Sequence, residues 1–296
     1  MPTLDAPTRD TTDLSPTPLA AGVPFGVRVH GRSLATLCDR PALAAALRAL
    51  VARERVVVIA LPPDAPADPN DFVTFAATLG PVRPSRVPDT TLASPAREHL
   101  FVGRRPLPPG VVPPRAADAA HHWHTDYSQA DPPPRLSMLQ AVDIPPGALR
   151  TGFADMAAVY RALPQALKDE IDDLQAVHYR HPHGVDVMPP DEAATVPWSQ
   201  RCQGTPHRLV QHDPAGTGAP VLFLPPHPDS AVVGRDEAAS RRLLDALWRA
   251  VDAHGSPWLF DQAPGEVLIW DNRALLHRRE ALPLHSRRLT WFLTTA

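Results

Sequence analysis

The chain has 296 residues, a length that fits one large domain or two small ones. Hydrophobic residues make up 44% of it and charged residues 21%, which excludes a disordered polymer and allows a sizeable buried core. The net charge of −3, without a long run of Lys and Arg, excludes the basic surface that a nucleic-acid partner needs. Neither a signal peptide nor an apolar span of roughly 18 residues is visible, so we expect a soluble, cytoplasmic protein without a membrane partner.

The first part of the chain is predicted to be a tail followed by strands and helices. Residues 1–24 are rich in Pro, Thr and Asp and lack periodicity, which predicts a flexible N-terminal tail. Residues 25–296 contain no internal repeat and are predicted to form one domain. Hydrophobic spacing predicts a strand, a helix capped by Asp39, a buried strand and a second helix that ends at Gly80. The predicted ranges of these elements are 25–29, 41–53, 56–61 and 72–79.

Two long irregular segments interrupt the later part of the chain, at 81–120 and at 178–206. Segments of this kind in a compact domain are typical of binding loops or lids. Short strands surround them without the alternation of strand and helix that a parallel sheet needs. This pattern favours a mainly β protein, an antiparallel barrel or sandwich with helices packed outside. The predicted elements are strands at 136–142, 221–224, 267–270 and 288–294, a helix at 156–177 interrupted at Pro164, and a helix capped by Asp236.

The segment HHWHTDYS, residues 121–128, carries the densest group of chemically active side chains. Because alternate side chains share one face of a strand, His124 and Asp126 are predicted to point the same way. His277, at the end of LIWDNRALLH, is the best candidate for a second His. The three would form a two-His-one-carboxylate site that leaves three positions open on a divalent metal. His122 and His124 also form an HxH pair that suits zinc, so this pattern alone leaves iron and zinc open.

Several ordered motifs of the chain resemble the taurine dioxygenase (TauD/TfdA-like) family. They are WHTD at 123–126, Thr151, and WDNRALLHR at 270–278 followed by Arg288. The segments FAATLGPV, TGFADMAAVYRALP and HRLVQHDPAGTGAPVLF carry the same resemblance. The family consists of Fe(II)- and 2-oxoglutarate-dependent oxygenases. The resemblance therefore implies a double-stranded β-helix, a jelly-roll or cupin-like barrel, over roughly residues 25–296.

The resemblance implies a role for five residues in particular. His124, Asp126 and His277 match the iron ligands of the family. Thr151, 27 residues after His124, matches a Thr that hydrogen-bonds 2-oxoglutarate. Arg288, 11 residues after His277, matches the Arg that pairs with the distal carboxylate of 2-oxoglutarate, a role that suits the planar guanidinium. Other motif residues are interpreted as structural, packing beside these strands and tying down the turn before the distal His: Trp123, Trp270, Asp271 and Asn272.

The activity that the resemblance implies is oxidation of a small-molecule metabolite by O2, in specialised metabolism, coupled to decarboxylation of 2-oxoglutarate to succinate. Halogenating relatives replace the carboxylate ligand by a small residue, and this chain keeps Asp126, so hydroxylation is expected first. Desaturation and oxidative C–N or C–heteroatom cleavage are the alternatives within the same chemistry. Two hypotheses from other classes are a zinc hydrolase, which would use His122, His124 and Asp126 or His277, and a non-catalytic barrel that binds a small ligand.

Departures from the family separate the chain from the namesake substrate, taurine. Phe292 stands 15 residues after His277, where the taurine enzyme carries a sulfonate-binding Arg, and GALRT at 147–151 replaces the usual GGDT. Taurine is therefore not the expected substrate. The candidate substrate residues are Tyr127, Phe292 and His122, and the expected partner is a small amino-acid-like or carboxylate-bearing molecule. Dimers and tetramers are common in the family, so a homo-oligomer is the corresponding expectation.

Overall fold

The computed structural model shows a mainly β protein with helices on its outer faces. Two sheets, one of seven strands and one of four, face each other across a shared apolar core. None of the helices that the structure describes is long and apolar enough to cross a membrane. The described residues are 14–62, 64–86, 92–106, 120–179, 196–212, 218–226, 230–255, 258–281 and 287–296.

The larger sheet forms one wall of the core. Its strands, in the order in which they lie side by side, are β1 (Thr17–Pro18), β2 (Val27–His30), β3 (Val56–Ala60), β13 (Val267–Asp271), β6 (Leu136–Asp143), β15 (Arg288–Thr295) and β4 (Phe101–Arg105). Neighbouring strands are antiparallel except β2 and β3, which are parallel. The central strands β3 and β13 read VVVIA and VLIWD and are buried on both faces, which explains their continuous apolar sequence.

The smaller sheet forms the opposite wall. Its strands, in spatial order, are β12 (Trp258–Asp261), β7 (Arg150–Asp155), β14 (Leu275–Arg279) and β5 (His121–His124), all antiparallel to their neighbours. Phe153 and Leu275 of this sheet meet Trp270 and Leu268 of the larger sheet in one buried cluster. Two further sheets have two antiparallel strands each: β8 (Gln175–His178) with β9 (Thr205–Arg208), and β10 (Val210–His212) with β11 (Pro220–Leu222).

Helices cover the outer face of each sheet, so each sheet is buried on two sides. The first group is α1 (Leu34–Cys38), α2 (Pro41–Glu54) and α3 (Pro69–Leu79), and the second is α4 (Met156–Ala162), α5 (Gln165–Ile171) and α7 (Glu237–His254). The short α6 (Trp198–Arg201) precedes β9. Phe72 and Phe75 of α3 pack against the larger sheet, and Leu247 of α7 packs beside Leu276 of the smaller one. Each fully buried side chain of this kind stabilises the fold by roughly 1.5–3 kcal/mol.

Several predicted element ends are confirmed. Asp236 caps α7, accepting a hydrogen bond from the Ala239 N–H at 2.7 Å. The predicted interruption at Pro164 separates α4 from α5. Gly80 ends α3, and its N–H donates to the Ala76 carbonyl. Capping residues and Pro act within one turn, so local sequence was enough to predict these ends.

Two helix predictions are wrong in detail. Asp39 does not cap α2; it ends the short α1, and Arg40 stands at the start of α2 without a side-chain cap. The helix predicted to run to residue 177 ends at Ile171, and β8 follows it. The reason is tertiary, because β8 pairs with β9, which lies about 30 residues further along the chain.

The expected tail and the first expected loop also contain paired strands. Residues 1–13 of the predicted tail lie outside the described residues. Within residues 14–24, β1 pairs with β2, and the flexibility of the tail stays a prediction. In the segment predicted as irregular, β4 pairs along β15 and a 3-10 helix spans Pro95–Glu98. Much of the two predicted loops, at 87–91, 107–119 and 180–195, lies outside the described residues.

Candidate metal centre

His124 and His277 face each other across two neighbouring strands. They are direct register partners on β5 and β14, and their ring centroids lie 4.1 Å apart. Both side chains are buried, with 4% and 7% of their surface exposed. The Nδ1 of His124 lies 2.7 Å from the carbonyl of His122. A proton on Nδ1 makes this a hydrogen bond and leaves the lone pair on Nε2, the atom that faces Asp126.

Asp126 lies in the turn after β5 rather than on a continuing strand, so the alternation argument for HTD is corrected. The strand ends at His124, and Tyr127 has a left-handed φ of 48° that turns the chain. The Asp126 carboxylate nevertheless reaches both imidazoles. Its Oδ1 is 3.6 Å from the Nε2 of His124, and its Oδ2 is 3.3 Å from the Nε2 of His277.

The three side chains form a compact donor set. One ligand atom from each of His124, Asp126 and His277 lies within 4.8 Å of the others, and no other such group of three occurs among the described residues. Two imidazole nitrogens and one carboxylate oxygen suit a divalent metal of borderline softness. Three ligands on one side leave further coordination positions open for small molecules, the arrangement of a non-haem iron site. The residues present therefore fit Fe(II).

The protonation states favour metal binding. Burial lowers the pKa of His277, a shift that the charge of Asp126 only partly opposes, so its imidazole is neutral. Burial alone would raise the pKa of Asp126, but its interactions with the side chains of His277 and His124 outweigh burial and lower that pKa. A neutral imidazole and an ionised carboxylate are the forms that coordinate metals.

The hydroxyl group of Ser137 orients the carboxylate of Asp126. Ser137 Oγ, on β6, donates a hydrogen bond of 2.6 Å to the Oδ2 of Asp126. This bond joins the larger sheet to the turn that carries the candidate ligand. Nothing in the sequence patterns singled out Ser137, because its contact with Asp126 depends on how the two sheets face each other. Such supporting hydrogen bonds set the orientation of metal ligands.

The turn before His277 is held by hydrogen bonds and packing, in agreement with the structural role predicted for its motif residues. Asp271 accepts hydrogen bonds from the backbone N–H groups of Arg273 and Ala274 and forms a buried ion pair of 3.2 Å with Arg55. Asn272 bonds to the backbone of Asp126. Trp270 packs with its ring centroid 5.0 Å from that of His277. Trp123 lies under Arg278, whose guanidinium is 4.8 Å from the ring centroid.

The two residues expected to hold 2-oxoglutarate lie on opposite walls of the core. Thr151 is on β7 and is 4% exposed; it shares the inner face with Phe153, the register partner of His277. Arg288 is the first residue of β15 and is 6% exposed. A guanidinium and a hydroxyl can both donate hydrogen bonds to a carboxylate. Their binding of the cosubstrate stays a prediction.

Tyr127 and Phe292 border a common pocket. Phe292 of β15 packs against Trp270, with ring centroids 6.2 Å apart, and Trp270 in turn contacts His277. The guanidinium of Arg86 lies 4.7 Å from the ring centroid of Tyr127. Basic and aromatic side chains line the pocket. The lining residues are Arg83, Pro84, Ser85, His99, Phe101, Tyr127, Phe292, Leu293 and Thr294.

The third candidate substrate residue, His122, has an exposed side chain, and only its carbonyl contacts His124. Its neighbour His121 takes the inner position instead, with its ring 5.8 Å from that of His124. Burial, followed by the charge of Arg279, lowers the pKa of His121 to about 2. His121 is neutral at physiological pH. The sequence patterns did not predict that His121, rather than His122, lies beside His124. Strand alternation alone places His122 on the face of His124.

The fold and the site together define a class of protein. Two facing β-sheets that carry a two-His-one-carboxylate cluster on adjacent strands are the architecture of a non-haem metal-dependent oxygenase. The family model described as "Taurine catabolism dioxygenase TauD, TfdA family" matches residues 10–294. The chain belongs to the TauD/TfdA family.

Similarity to individual proteins agrees with this assignment. The chain is 31% identical over 240 residues to an alpha-ketoglutarate-dependent 2,4-dichlorophenoxyacetate dioxygenase of Cupriavidus pinatubonensis, covering 75% of this chain and 79% of the relative. It is 29% identical over 289 residues to an (S)-phenoxypropionate/alpha-ketoglutarate-dioxygenase of Delftia acidovorans, covering 95% and 94%. The crystal structure of a taurine dioxygenase from Burkholderia xenovorans superposes with a TM-score of 0.69 at 26% identity, covering 95% and 88%.

These findings confirm the predicted fold and enzyme class. The fold is the jelly roll of TauD-like dioxygenases, although its sheets do not close into a complete barrel. The chain is an Fe(II)- and 2-oxoglutarate-dependent dioxygenase that acts on a small molecule. The zinc hydrolase hypothesis is not favoured, and its extra ligand, His122, is absent from the donor set among the described residues.

Proposed function

We propose that His124, Asp126 and His277 bind Fe(II) and that the enzyme hydroxylates a small anionic compound. The convergence of the three ligand atoms within 4.8 Å carries this proposal. The bound Fe(II) would supply the redox chemistry in which O2 is reduced, 2-oxoglutarate is decarboxylated to succinate and CO2, and the substrate gains an oxygen atom. The part of the protein is to hold the ligands in their coordinating protonation states and to leave one side of the metal open.

Thr151 and Arg288 are proposed to orient 2-oxoglutarate. A guanidinium binds a carboxylate through two parallel hydrogen bonds, and the Thr hydroxyl donates one more. Both side chains are buried, so the bonds would form in a region of low dielectric where charge-assisted hydrogen bonds are strong. Holding the distal end of the cosubstrate leaves its 2-oxo acid end free to reach the metal that the three ligands would hold.

The substrate is proposed to combine an anionic group with an apolar or aromatic part. The pocket bordered by Tyr127, the residue after Asp126, supports this, because Arg83 lines it together with the apolar rings of Phe101 and Phe292. Arg86 adds a second guanidinium against the Tyr127 ring. The relatives that act on 2,4-dichlorophenoxyacetate and phenoxypropionate use substrates of this kind. Stacking on the aromatic rings and pairing with a guanidinium are compatible contacts for one aryl carboxylate.

A panel assay tests the proposed function. Protein loaded with Fe(II) under anaerobic conditions is given 2-oxoglutarate, O2 and matched pairs of compounds, such as phenoxyalkanoic acids and their neutral amides. We expect succinate release to depend on Fe(II) and to be stimulated by the acids rather than by the amides. His124→Ala and Asp126→Ala should each abolish turnover. Succinate formation that persists in His124→Ala would overturn the proposed metal site.

Product analysis decides the reaction type. Hydroxylation adds one oxygen atom to the substrate and one to succinate, whereas desaturation removes two hydrogen atoms and leaves the substrate without added oxygen. Oxidative cleavage of a C–O or C–N bond begins with hydroxylation at the adjacent carbon and yields a carbonyl product. Labelling with ¹⁸O2 and mass spectrometry separates these outcomes. Turnover with Zn(II) in place of Fe(II), without succinate, would support the hydrolase instead.

A further inference from the structure

A second layer of side chains lies next to the candidate metal ligands on the inner face of the smaller sheet. On β14, His277 is the register partner of Phe153 and of His124. Two residues further along the same strand, Arg279 is the register partner of Thr151 on β7 and of His121 on β5. Arg279 therefore stands in the layer of Thr151, which the proposed function assigns to the cosubstrate.

The side chain of Arg279 points to the inside of the core. Successive side chains of a strand alternate between faces, and Arg278 occupies the outer face. There its guanidinium covers the Trp123 ring, and its Cγ would lie 3.0 Å from a Cβ added at Gly152. His277 and Arg279 share the inner face, and the Nε atom of Arg279 is buried.

A bulge on β5 makes His121 the residue of this layer that lies opposite Arg279. Between the pairs His277–His124 and Arg279–His121, β14 advances by two residues and β5 by three, so β5 carries an extra residue. The bulge brings the imidazole of His121 within range of the Arg279 charge. The layer thus contains a guanidinium, a Thr hydroxyl and an imidazole, three groups that can donate hydrogen bonds to an anion.

We propose that Arg279 is a second cosubstrate-binding cation, which binds the distal carboxylate of 2-oxoglutarate together with Thr151 and Arg288. This inference rests on the proposed function, because it takes Thr151 as the marker of the cosubstrate position. A carboxylate can accept about four hydrogen bonds, more than Thr151 and one guanidinium donate to it. With two Arg side chains the site would select 2-oxo acids that carry a second carboxylate.

The test measures binding rather than turnover. Two probes are titrated by calorimetry into Mn(II)-loaded protein without O2: 2-oxoglutarate, and 2-oxopentanoate, which has the same chain length but lacks the distal carboxylate. Arg279→Gln is expected to weaken 2-oxoglutarate about 10- to 100-fold, the loss of one charge-assisted interaction, and to leave 2-oxopentanoate within about twofold. Arg279→Lys keeps the charge without the planar fork and should be intermediate.

Two controls make the result decisive. Arg278→Gln removes a guanidinium from the outer face of the same strand and should leave the ratio of the two affinities unchanged. Arg288→Gln should lower that ratio as Arg279→Gln does. If Arg279→Gln and Arg279→Lys bind 2-oxoglutarate like the unmodified protein while Arg288→Gln does not, the role of Arg279 is refuted and the proposed function stands. If the unmodified Mn(II) protein binds no 2-oxoglutarate, both are refuted.

Discussion

Asn272 holds the backbone of Asp126 from both sides. Its Oδ1 accepts a hydrogen bond from the Asp126 N–H at 2.9 Å, and its Nδ2 donates to the Asp126 carbonyl at 3.0 Å. The same Nδ2 also donates to the Pro134 carbonyl at 3.1 Å, and Asn272 is fully buried. One amide thereby joins the turn that carries Asp126 to the turn that precedes His277. The spacing of the candidate ligands therefore depends on a residue that acts through hydrogen bonds to the backbone.

Replacing Asn272 by Ala should weaken metal binding. The change removes three hydrogen bonds and leaves buried backbone groups of the Asp126 turn unsatisfied, which we expect to destabilise the fold by about 2–4 kcal/mol. Loss of a supporting residue of this kind typically lowers metal affinity about 10- to 100-fold. Titration of the metal-free protein with Mn(II), combined with urea unfolding, measures both quantities.

An exposed amide provides the control for this prediction. Asn70 bonds to Asp68 at the start of α3, far from the candidate centre in the chain, and Asn70→Ala should change Mn(II) affinity by less than about twofold. If Asn272→Ala binds Mn(II) as the unmodified protein does, the amide has no part in setting the ligand geometry. Asn272→Asp keeps the size of the side chain but loses the N–H donor. Its Mn(II) affinity should lie between that of Asn272→Ala and that of the unmodified protein.

Much of the site could be predicted from the sequence, because its residues lie in motifs with fixed spacing. His124, Asp126 and His277 were found by motif and were brought together by the fold. The inner position of His121, where strand alternation predicts His122, could not be predicted. It depends on a bulge in the pairing of β5 with β14. Register is a tertiary property that hydrophobic patterns do not encode when the strand is short and polar.

Other features escaped prediction for the same physical reason. Ser137 supports Asp126 only because the larger sheet faces the turn after β5. The strand β8 was expected to be helical, and its pairing with β9 overrides the local pattern. Arg279 could have been found, because strand alternation from His277 places it on the same face. Local rules thus predicted the caps, turns and ligand motifs, while contacts between sheets decided the rest.

The buried ion pair between Arg55 and Asp271 should be important for stability. The two groups are 3.2 Å apart, with side chains 11% and 1% exposed. Asp271→Asn leaves the Arg55 charge with a neutral partner, and breaking a buried pair in this way destabilises proteins by about 3–5 kcal/mol. Urea unfolding checks the prediction. The control is Asp173→Asn at the exposed pair with Arg208, where a loss of at most about 1 kcal/mol is expected.

Phe292 should affect the substrate rather than the cosubstrate. Its ring packs on Trp270 at the border of the pocket that also contains Tyr127. Phe292→Ala removes apolar surface there, so KM for the best acid of the substrate panel should rise about 10-fold, as expected for the loss of one apolar contact. The Kd for 2-oxoglutarate of the Mn(II) protein should stay within about twofold. A parallel loss of both affinities would instead indicate a structural role for Phe292.

His178 is predicted to make the protein sensitive to acid. The side chain is fully buried on β8, stacked on Phe223 with ring centroids 4.9 Å apart, and its ring nitrogens have no hydrogen-bond partner among the described residues. Burial, and then the neighbouring charge of His207, lower its pKa well below the usual value. The folded protein therefore keeps this imidazole neutral, whereas the unfolded chain protonates it near pH 6.5.

The sign of the effect follows from proton linkage. Below about pH 6.5 the unfolded state binds a proton that the folded state does not, so the free energy of unfolding falls as the pH falls, by up to about 1.4 kcal/mol per pH unit for this group. His178→Phe removes the titrating group, and its free energy of unfolding should fall less steeply between pH 6.5 and 5. Phe223→Leu keeps His178 and removes its stacking partner, so it should lower stability without flattening the slope. Urea unfolding of the metal-free proteins at several pH values distinguishes the two, and equal slopes for His178→Phe and the unmodified chain would contradict the prediction.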